Sequence, residues 1–264
     1  MNYAGGAIVV GGLKQGDRST GSVLRLSWRG GTLRLAGRLA DLAEPVHDSA
    51  GLVLHGRPTV FGGGSSVELD QVQQLSSAGR WRVVGRLPGA RSDLSAAGVR
   101  GAAYLVGGYD GTQTPSAVLA TRDGNRFRRV ASLPGGDRYA GVARFGQDLW
   151  VLGGEMDGAE LRRVLRIDPP SGRARIVGTM PVPLGHEAVV RVGPRLLVMG
   201  GRTAPDKVTG AMWWFDPRTL RWRRAGRLPY PVADAPVLVH GHHAYLFGGE
   251  TPSFTAKVTR VSWR

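Results

Sequence analysis

The chain alternates between short apolar runs and polar, glycine-punctuated connectors. Six of the runs end in a glycine pair: Ala7-Ile8-Val9-Val10-Gly11-Gly12, Pro58-Thr59-Val60-Phe61-Gly62-Gly63, Ala103-Tyr104-Leu105-Val106-Gly107-Gly108, Leu149-Trp150-Val151-Leu152-Gly153-Gly154, Leu196-Leu197-Val198-Met199-Gly200-Gly201 and Ala244-Tyr245-Leu246-Phe247-Gly248-Gly249. The first glycines stand at 11, 62, 107, 153, 200 and 248, so the steps are 51, 45, 46, 47 and 48 residues. Apolar runs this short, bounded by turn-forming residues, read as strands. A fixed period of about fifty means one supersecondary unit is repeated, each copy burying its faces against its neighbours.

Each full repeat reads as four strands. In the repeat between 91 and 134 they cover 93–99, 102–106, 117–121 and 127–131, and Leu133-Pro134 closes it. Two further columns keep register. Leu33, Trp81, Phe127, Ala174 and Trp222 align on the fourth strand, and Leu26, Gln74, Ala120, Ile167 and Phe215 on the third. Large apolar residues in such columns are expected to fill the space between blades. The pattern predicts an all-β, six-bladed propeller forming one domain over residues 1–264. The first blade is expected to lack its inner strand, because the equivalent of Asp48 would fall before residue 1. The last is expected to lack its outer strand, because 258–264 matches the third strand 23–29 and the sequence stops there. That gives 22 strands and suggests a truncated N-terminus.

The glycine pairs, the outer-strand aromatics Trp81, Phe127 and Trp222, and the Asp-Pro turns Asp168-Pro169 and Asp216-Pro217 resemble the kelch-repeat superfamily, its bacterial members in particular. The resemblance extends over essentially the whole chain and takes in the galactose oxidase central domain. It implies a kelch-type propeller of four-stranded antiparallel blades. For function it implies a range: protein-interaction modules, a sialic-acid mutarotase, copper-containing galactose oxidases and iron-dependent specifier proteins. The galactose oxidase chemistry needs a cysteine joined to a tyrosine, and the sequence has Cys 0. The iron-site spacing of acids and histidine is not visible. No residue of the mutarotase can be mapped, so that reading rests on architecture alone. A phosphate-cradling reading of the glycine pairs fails, because no G-x-G-x-x-G or G-x-x-x-x-G-K-[ST] leads from a strand into a helix.

Charge adds a second pattern. Lys+Arg 35 against Asp+Glu 20 gives +15, and only Lys14, Lys207 and Lys257 are lysines. Arginines concentrate on the fourth strands, as in Arg80-Trp81-Arg82, Arg126-Phe127-Arg128-Arg129, Arg173-Ala174-Arg175 and Arg221-Trp222-Arg223-Arg224. Such a belt could attract polyanions. Charges on an outermost strand also prevent edge-to-edge pairing, and that is the preferred reading, so nucleic acid is not the expected partner. The absence of cysteine excludes disulfides and thiolate chemistry. No apolar run of about 18 residues occurs, and no signal peptide is visible. A truncated start leaves secretion or the cell envelope open.

The acids follow the fold's two ends. Sixteen of the 20 fall in the connections between blades and between second and third strands, leaving Asp123, Asp148, Asp168 and Asp216 at the other end. At the start of each first strand sits a matched pair: His47-Asp48, Ser92-Asp93, Arg138-Tyr139, His186-Glu187 and Ala233-Asp234. Asp48, Asp93, Tyr139 and Asp234 stand 14 residues before the first glycine of their pair, and Glu187 stands 13 before Gly200. In a propeller the first strand lines the central channel, so these side chains should meet at its mouth. Carboxylates gathered there share protons, bind a cation or pair with arginine; alternatively each Asp merely caps a turn.

The first functional reading is a monomeric, non-enzymatic binding module that needs no cofactor. It would recognise a protein or a glycan through the acid-rich mouth. The binding candidates are His47, Asp48, Asp93, Tyr109, Asp110, Arg138, Tyr139, Glu155, His186, Glu187, Arg202, Asp234 and Glu250. The alternative is an enzyme of the sugar mutarotase or lyase type, with His47, Arg138, His186 and Glu187 as acid, base and anion holder. Asp48, Asp93, Glu187 and Asp234 are the candidates for a metal. Nucleic-acid binding by the arginine belt is the third reading.

Overall fold

A computed structural model describes residues 1–30, 32–251 and 253–263. The fold is all-β, a six-bladed β-propeller of antiparallel sheets, and no helix occurs among the described residues. The chain divides into two compact units, Met1–Val130 and Ala131–Arg264. In the first, blade 1 pairs Asn2–Tyr3, Gly6–Val10, Val23–Arg29 and Thr32–Arg38. Blade 2 runs through Ala50–Leu54, Arg57–Phe61, Gln71–Leu75 and Trp81–Arg86, and blade 3 through Ser95–Val99, Ala102–Val106, Ala117–Thr121 and Arg128–Ser132. Blade 4 comprises Gly141–Phe145, Asp148–Leu152, Arg163–Asp168 and Arg173–Thr179. Blade 5 comprises Ala188–Val192, Arg195–Met199, Ala211–Asp216 and Arg221–Arg227, and blade 6 has three strands, Val237–His240, His243–Phe247 and Val258–Ser262.

One expectation is corrected. Blade 1 does have an inner strand, reduced to Asn2–Tyr3 and paired with Ala7 and Gly6. A two-residue strand falls below any sequence pattern, since alternation needs several residues to show. Arg264, counted above in the last strand, lies outside the described residues. Two unforeseen hairpins, Leu13–Lys14 with Arg18–Ser19 and Glu155–Met156 with Ala159–Glu160, decorate the connections between second and third strands.

The aligned columns pack as their chemistry requires. Leu26, Gln74, Ala120, Ile167 and Phe215 are all buried. Phe127 meets Phe61 edge to face at 6.5 Å. Trp222 packs on Phe215 at 4.5 Å and Trp150 on Phe215 at 5.4 Å. In the second unit the clusters around Trp150, Leu152 and Phe215 and around Leu197, Met199 and Leu246 lie between successive blades. Outer strands carry a bulge: register shifts opposite Gly37, at Val83/Gly85, and opposite Gly178 and Gly226. Bulges twist an edge strand away from pairing.

The glycine pair is a latch between blades. At Gly153-Gly154 the first amide donates to Arg163 O within blade 4 (3.0 Å), and the second donates to Leu184 O on the approach to blade 5 (2.9 Å). Both residues take left-handed φ, 57° and 94°. A Cβ on Gly153 would lie 2.0 Å from Leu184 O, and one on Gly154 would lie 1.8 Å from Asp137 Oδ1. The approach to blade 5 at Gly153, and blade 4's own entry connection at Gly154, come too close for any side chain. Gly153→Ala is expected to lower stability by about 2–3 kcal/mol. Gly158→Ala, at a similar φ of 75° with nothing within 4 Å of the new Cβ, is expected to cost about 1 kcal/mol. Chemical denaturation of the two variants checks the difference; equal losses would remove the close-approach explanation.

Candidate binding site

The inner strands begin in an unusual backbone conformation. Asp48, Asp93, Tyr139, His186 and Asp234 have φ of 46°, 58°, 53°, 61° and 55°. Each stands 14 residues before the first glycine of its blade. This corrects the alignment of the fifth repeat: the matched residue is His186, and Glu187 comes one later. Matching by acidic character picked the wrong neighbour, and a one-residue slip sends the side chain to the other face. The left-handed residues join successive blades by backbone bonds: Asp93 N donates to Asp48 O (2.9 Å), His186 N to Tyr139 O (2.8 Å) and Asp234 N to His186 O (3.0 Å). Asp and His adopt this conformation more readily than most residues, whereas Tyr139 holds it at a cost of about 1–3 kcal/mol.

The residue before each left-handed position bridges the residue after the glycine pair. The bridges are His47 with Gly64, Ser92 with Tyr109, Arg138 with Glu155, Gly185 with Arg202 and Ala233 with Glu250. In blades 2 to 6 a rule of spacing thus places three residues together at the start of the inner strand, although Gly64 and Gly185 bring no side chain.

In the unit Ala131–Arg264 those side chains form a line of alternating charge. Arg138 grips Glu155 Oε1 through Nε (3.0 Å) and Nη2 (2.5 Å). His186 Nε2 faces Glu155 Oε2 at 3.2 Å, and its Nδ1 faces Asp234 Oδ1 at 2.7 Å. Arg202 Nη2 lies 3.6 Å from Asp234 Oδ2 and is hydrogen-bonded to Glu250. The Tyr139 ring stacks on His186 with centroids 3.8 Å apart, and the Arg138 guanidinium lies over the same tyrosine. Burial works against charge on His186, but its bonds to Asp234 and Glu155 prevail and hold the imidazolium to about 9. The His186 bond is the main influence keeping Glu155 ionised down to about 2. Burial opposes the Arg202 charge as well, and the carboxylates of Asp234 and Glu250 more than offset it.

Below this line lie two acids of another kind. Glu187 is buried; its Oε1 accepts a bond from Gly141 N (3.1 Å) while Oε2 has no partner. Burial pushes its carboxyl up to about 8. Asp137 is fully buried and is raised by burial to about 7, against the opposing pull of Arg163 at 3.1 Å. Arg163 also donates to Pro134 O and Gly136 O, each at 2.6 Å, so it ties down the connection into blade 4. Sequence reading passed over both residues. Arg163 carried no distinguishing signal, being one arginine among many, and Asp137 stands one residue outside the matched pair.

The candidates in Met1–Val130 are used locally. His47 Nδ1 is bonded to Ser19 Oγ at 2.8 Å. Asp110 accepts from Thr112 N, Thr112 Oγ1 and Gln113 N within its own turn, and Tyr109 OH donates to Gly111 O. Asp93 is buried and Asp48 exposed. Arg91, buried, donates to Gly107 O and Ala117 O. Among the described residues no group of three or more His, Asp or Glu is arranged to hold a metal ion. Of the metal candidates in the unit Ala131–Arg264, Asp234 is bonded to His186 and Glu187 to Gly141 N.

Comparison with known proteins agrees with this architecture. A family model described as the kelch motif matches residues 183–229. Kelch repeat protein M-T8 of Myxoma virus (strain Lausanne) is 26% identical over 212 residues, 77% of this chain and 41% of that protein. Kelch repeat and BTB domain-containing protein 12 of Danio rerio is 27% identical over 135 residues, 47% of this chain and 22% of its own length. The chain thus spans well under half of these relatives. The solved structure titled "Structure of YjhT" superimposes with a TM-score of 0.79 at 14% identity, covering 99% of this chain and 94% of that one. Residues 183–229 thus match a kelch motif, and the chain has the fold of a β-propeller.

Proposed function

We propose that this propeller is a binding module whose inner rim on blades 4 to 6 recognises a protein partner. The observation that carries the reading is the paired line Arg138–Glu155–His186–Asp234–Arg202–Glu250. A catalytic rim would need a base free to take a proton near neutral pH. Here His186 is held protonated between two carboxylates, and Glu187 is turned away from the rim into the protein. What the rim offers is recognition: partly exposed Arg138, Arg202, Asp234 and Glu250, of alternating sign and fixed position. That pattern suits a peptide segment bearing both charges better than a neutral sugar. No helix among the described residues is long and apolar enough to cross a membrane.

The test is a peptide array of mixed-charge sequences, run beside a panel of neutral and acidic sugars with polarimetry. Peptides selected by the wild type are expected to bind at least about tenfold more weakly to Arg138→Ala and Glu250→Ala variants with intact melting curves. Selective binding or anomerisation of a sugar, abolished in those variants, would replace this reading with the glycan or mutarotase-type one. Peptide binding that the variants leave unchanged would move the partner surface off the rim.

A further inference from the structure

Blade 4 carries a second feature, at the end remote from Glu155 along its third strand. Arg166, Asp168, Ser171, Arg173, Arg175 and Val177 line a cavity of about 210 Å³ where the third and outer strands meet their turn. Arg166 pairs directly with Arg175 across the ladder, and Asp168 with Arg173. Alternate residues of a strand share a face, so three arginines and one aspartate stand on one side of this ribbon. Like charges directly opposite each other disfavour a strand pair. An anion between them would reverse the sign.

The local partners do not supply that anion. Asp148 takes Arg166 through Nε only, at 2.9 Å, leaving its terminal nitrogens. Ser171 Oγ donates to Asp168 Oδ2 at 2.6 Å. Arg173 and Arg175 are exposed, and neither makes a side-chain hydrogen bond or ion pair among the described residues. With Asp148 and Asp168 set against Arg166, Arg173 and Arg175, the face keeps an excess of one positive charge. Guanidinium forks match oxyanions in a bidentate manner, and several forks converging on one point favour a multiply charged, tetrahedral anion over a single carboxylate.

From this geometry we propose that the outer ribbon of blade 4 is a binding site for a phosphate group, held by Arg166, Arg173 and Arg175. The group is either inorganic phosphate or a phosphomonoester on a peptide; both present at least three anionic oxygens on a tetrahedral phosphorus.

Thermal melting of the full chain at matched ionic strength tests the site, with potassium phosphate titrated against chloride and, in a second arm, a phosphoserine peptide against its unphosphorylated form. The variants are Arg173→Ala/Arg175→Ala and, as an equal loss of charge on another outer strand, Arg80→Ala/Arg82→Ala. The expected result is a saturable rise in Tm for the wild type and for the blade 2 variant. In the blade 4 variant the apparent affinity should fall at least about tenfold. A response in the phosphate arm alone identifies the free ion as ligand; a response to the phosphopeptide at lower concentration identifies the monoester. An equal rise in all three proteins is a general salt effect and overturns the proposal, as does no rise in any.

Discussion

Replacing His186 by alanine is expected to lower the stability of the protein by about 3–5 kcal/mol at pH 7, among the largest single losses available in this chain. The imidazole is 3% exposed and bridges Glu155 and Asp234, which are 11% and 20% exposed. Removing it leaves the Glu155 and Asp234 carboxylates without the cation that bridges them. The pH dependence identifies the cause. The folded pKa of about 9 lies above the ordinary 6.5. The contribution is therefore complete below pH 6.5 and is lost as pH rises through 9. The separation corresponds to about 3 kcal/mol. Urea denaturation of wild type and His186→Ala at pH 6 and pH 9.5 should show the gap between them shrinking at the higher pH. A gap that stays constant would mean that His186 acts only by packing against Tyr139.

Glu187→Gln is expected to do the opposite, stabilising the protein in alkali. Burial raises the carboxyl to about 8 from its ordinary 4.5. The folded state therefore holds a proton that the unfolded chain releases, and stability falls as pH rises from 4.5 to 8. The full penalty above pH 8 is at most about 5 kcal/mol. Glutamine keeps the acceptor for Gly141 N and carries no charge. Its amide group adds an unpartnered donor where Oε2 now lies, a constant cost of about 1–2 kcal/mol. Relative to wild type the variant should be slightly weaker at pH 5 and clearly more stable at pH 9. Parallel stability curves across that range would show that Glu187 ionises freely and is not enclosed as described.

These two neighbours show where sequence reading succeeds and where it stops. The left-handed position recurs every blade, and Asp48, Asp93 and Asp234 announce it because aspartate tolerates that backbone. In the fifth repeat His186 holds it instead, which tolerates the same backbone but is no acid, so matching by acidic character falls on Glu187, the acid beside the true equivalent. The consequence is large: His186 lies in the charged line on the rim, while Glu187 lies beneath it as a buried acid. Glu155, Arg202 and Glu250 could be named as candidates because each follows its glycine pair. Their order in a line of alternating charge could not be read, since it depends on partners 17, 31 and 48 residues apart along the chain.

By itself the sequence determined the all-β propeller, its six blades, the columns of apolar residues between them and the places where each blade bends. These features follow from local periodicity and from glycines that no other residue can replace, so they are written in every repeat. Tertiary structure alone decided which charges neutralise one another, which acids are buried and keep their protons, and which arginines are left to face each other across the outer ribbon of blade 4. Those outcomes depend on distances and burial set by strand register and by the approach of neighbouring blades. Composition and spacing along the chain hold no record of either.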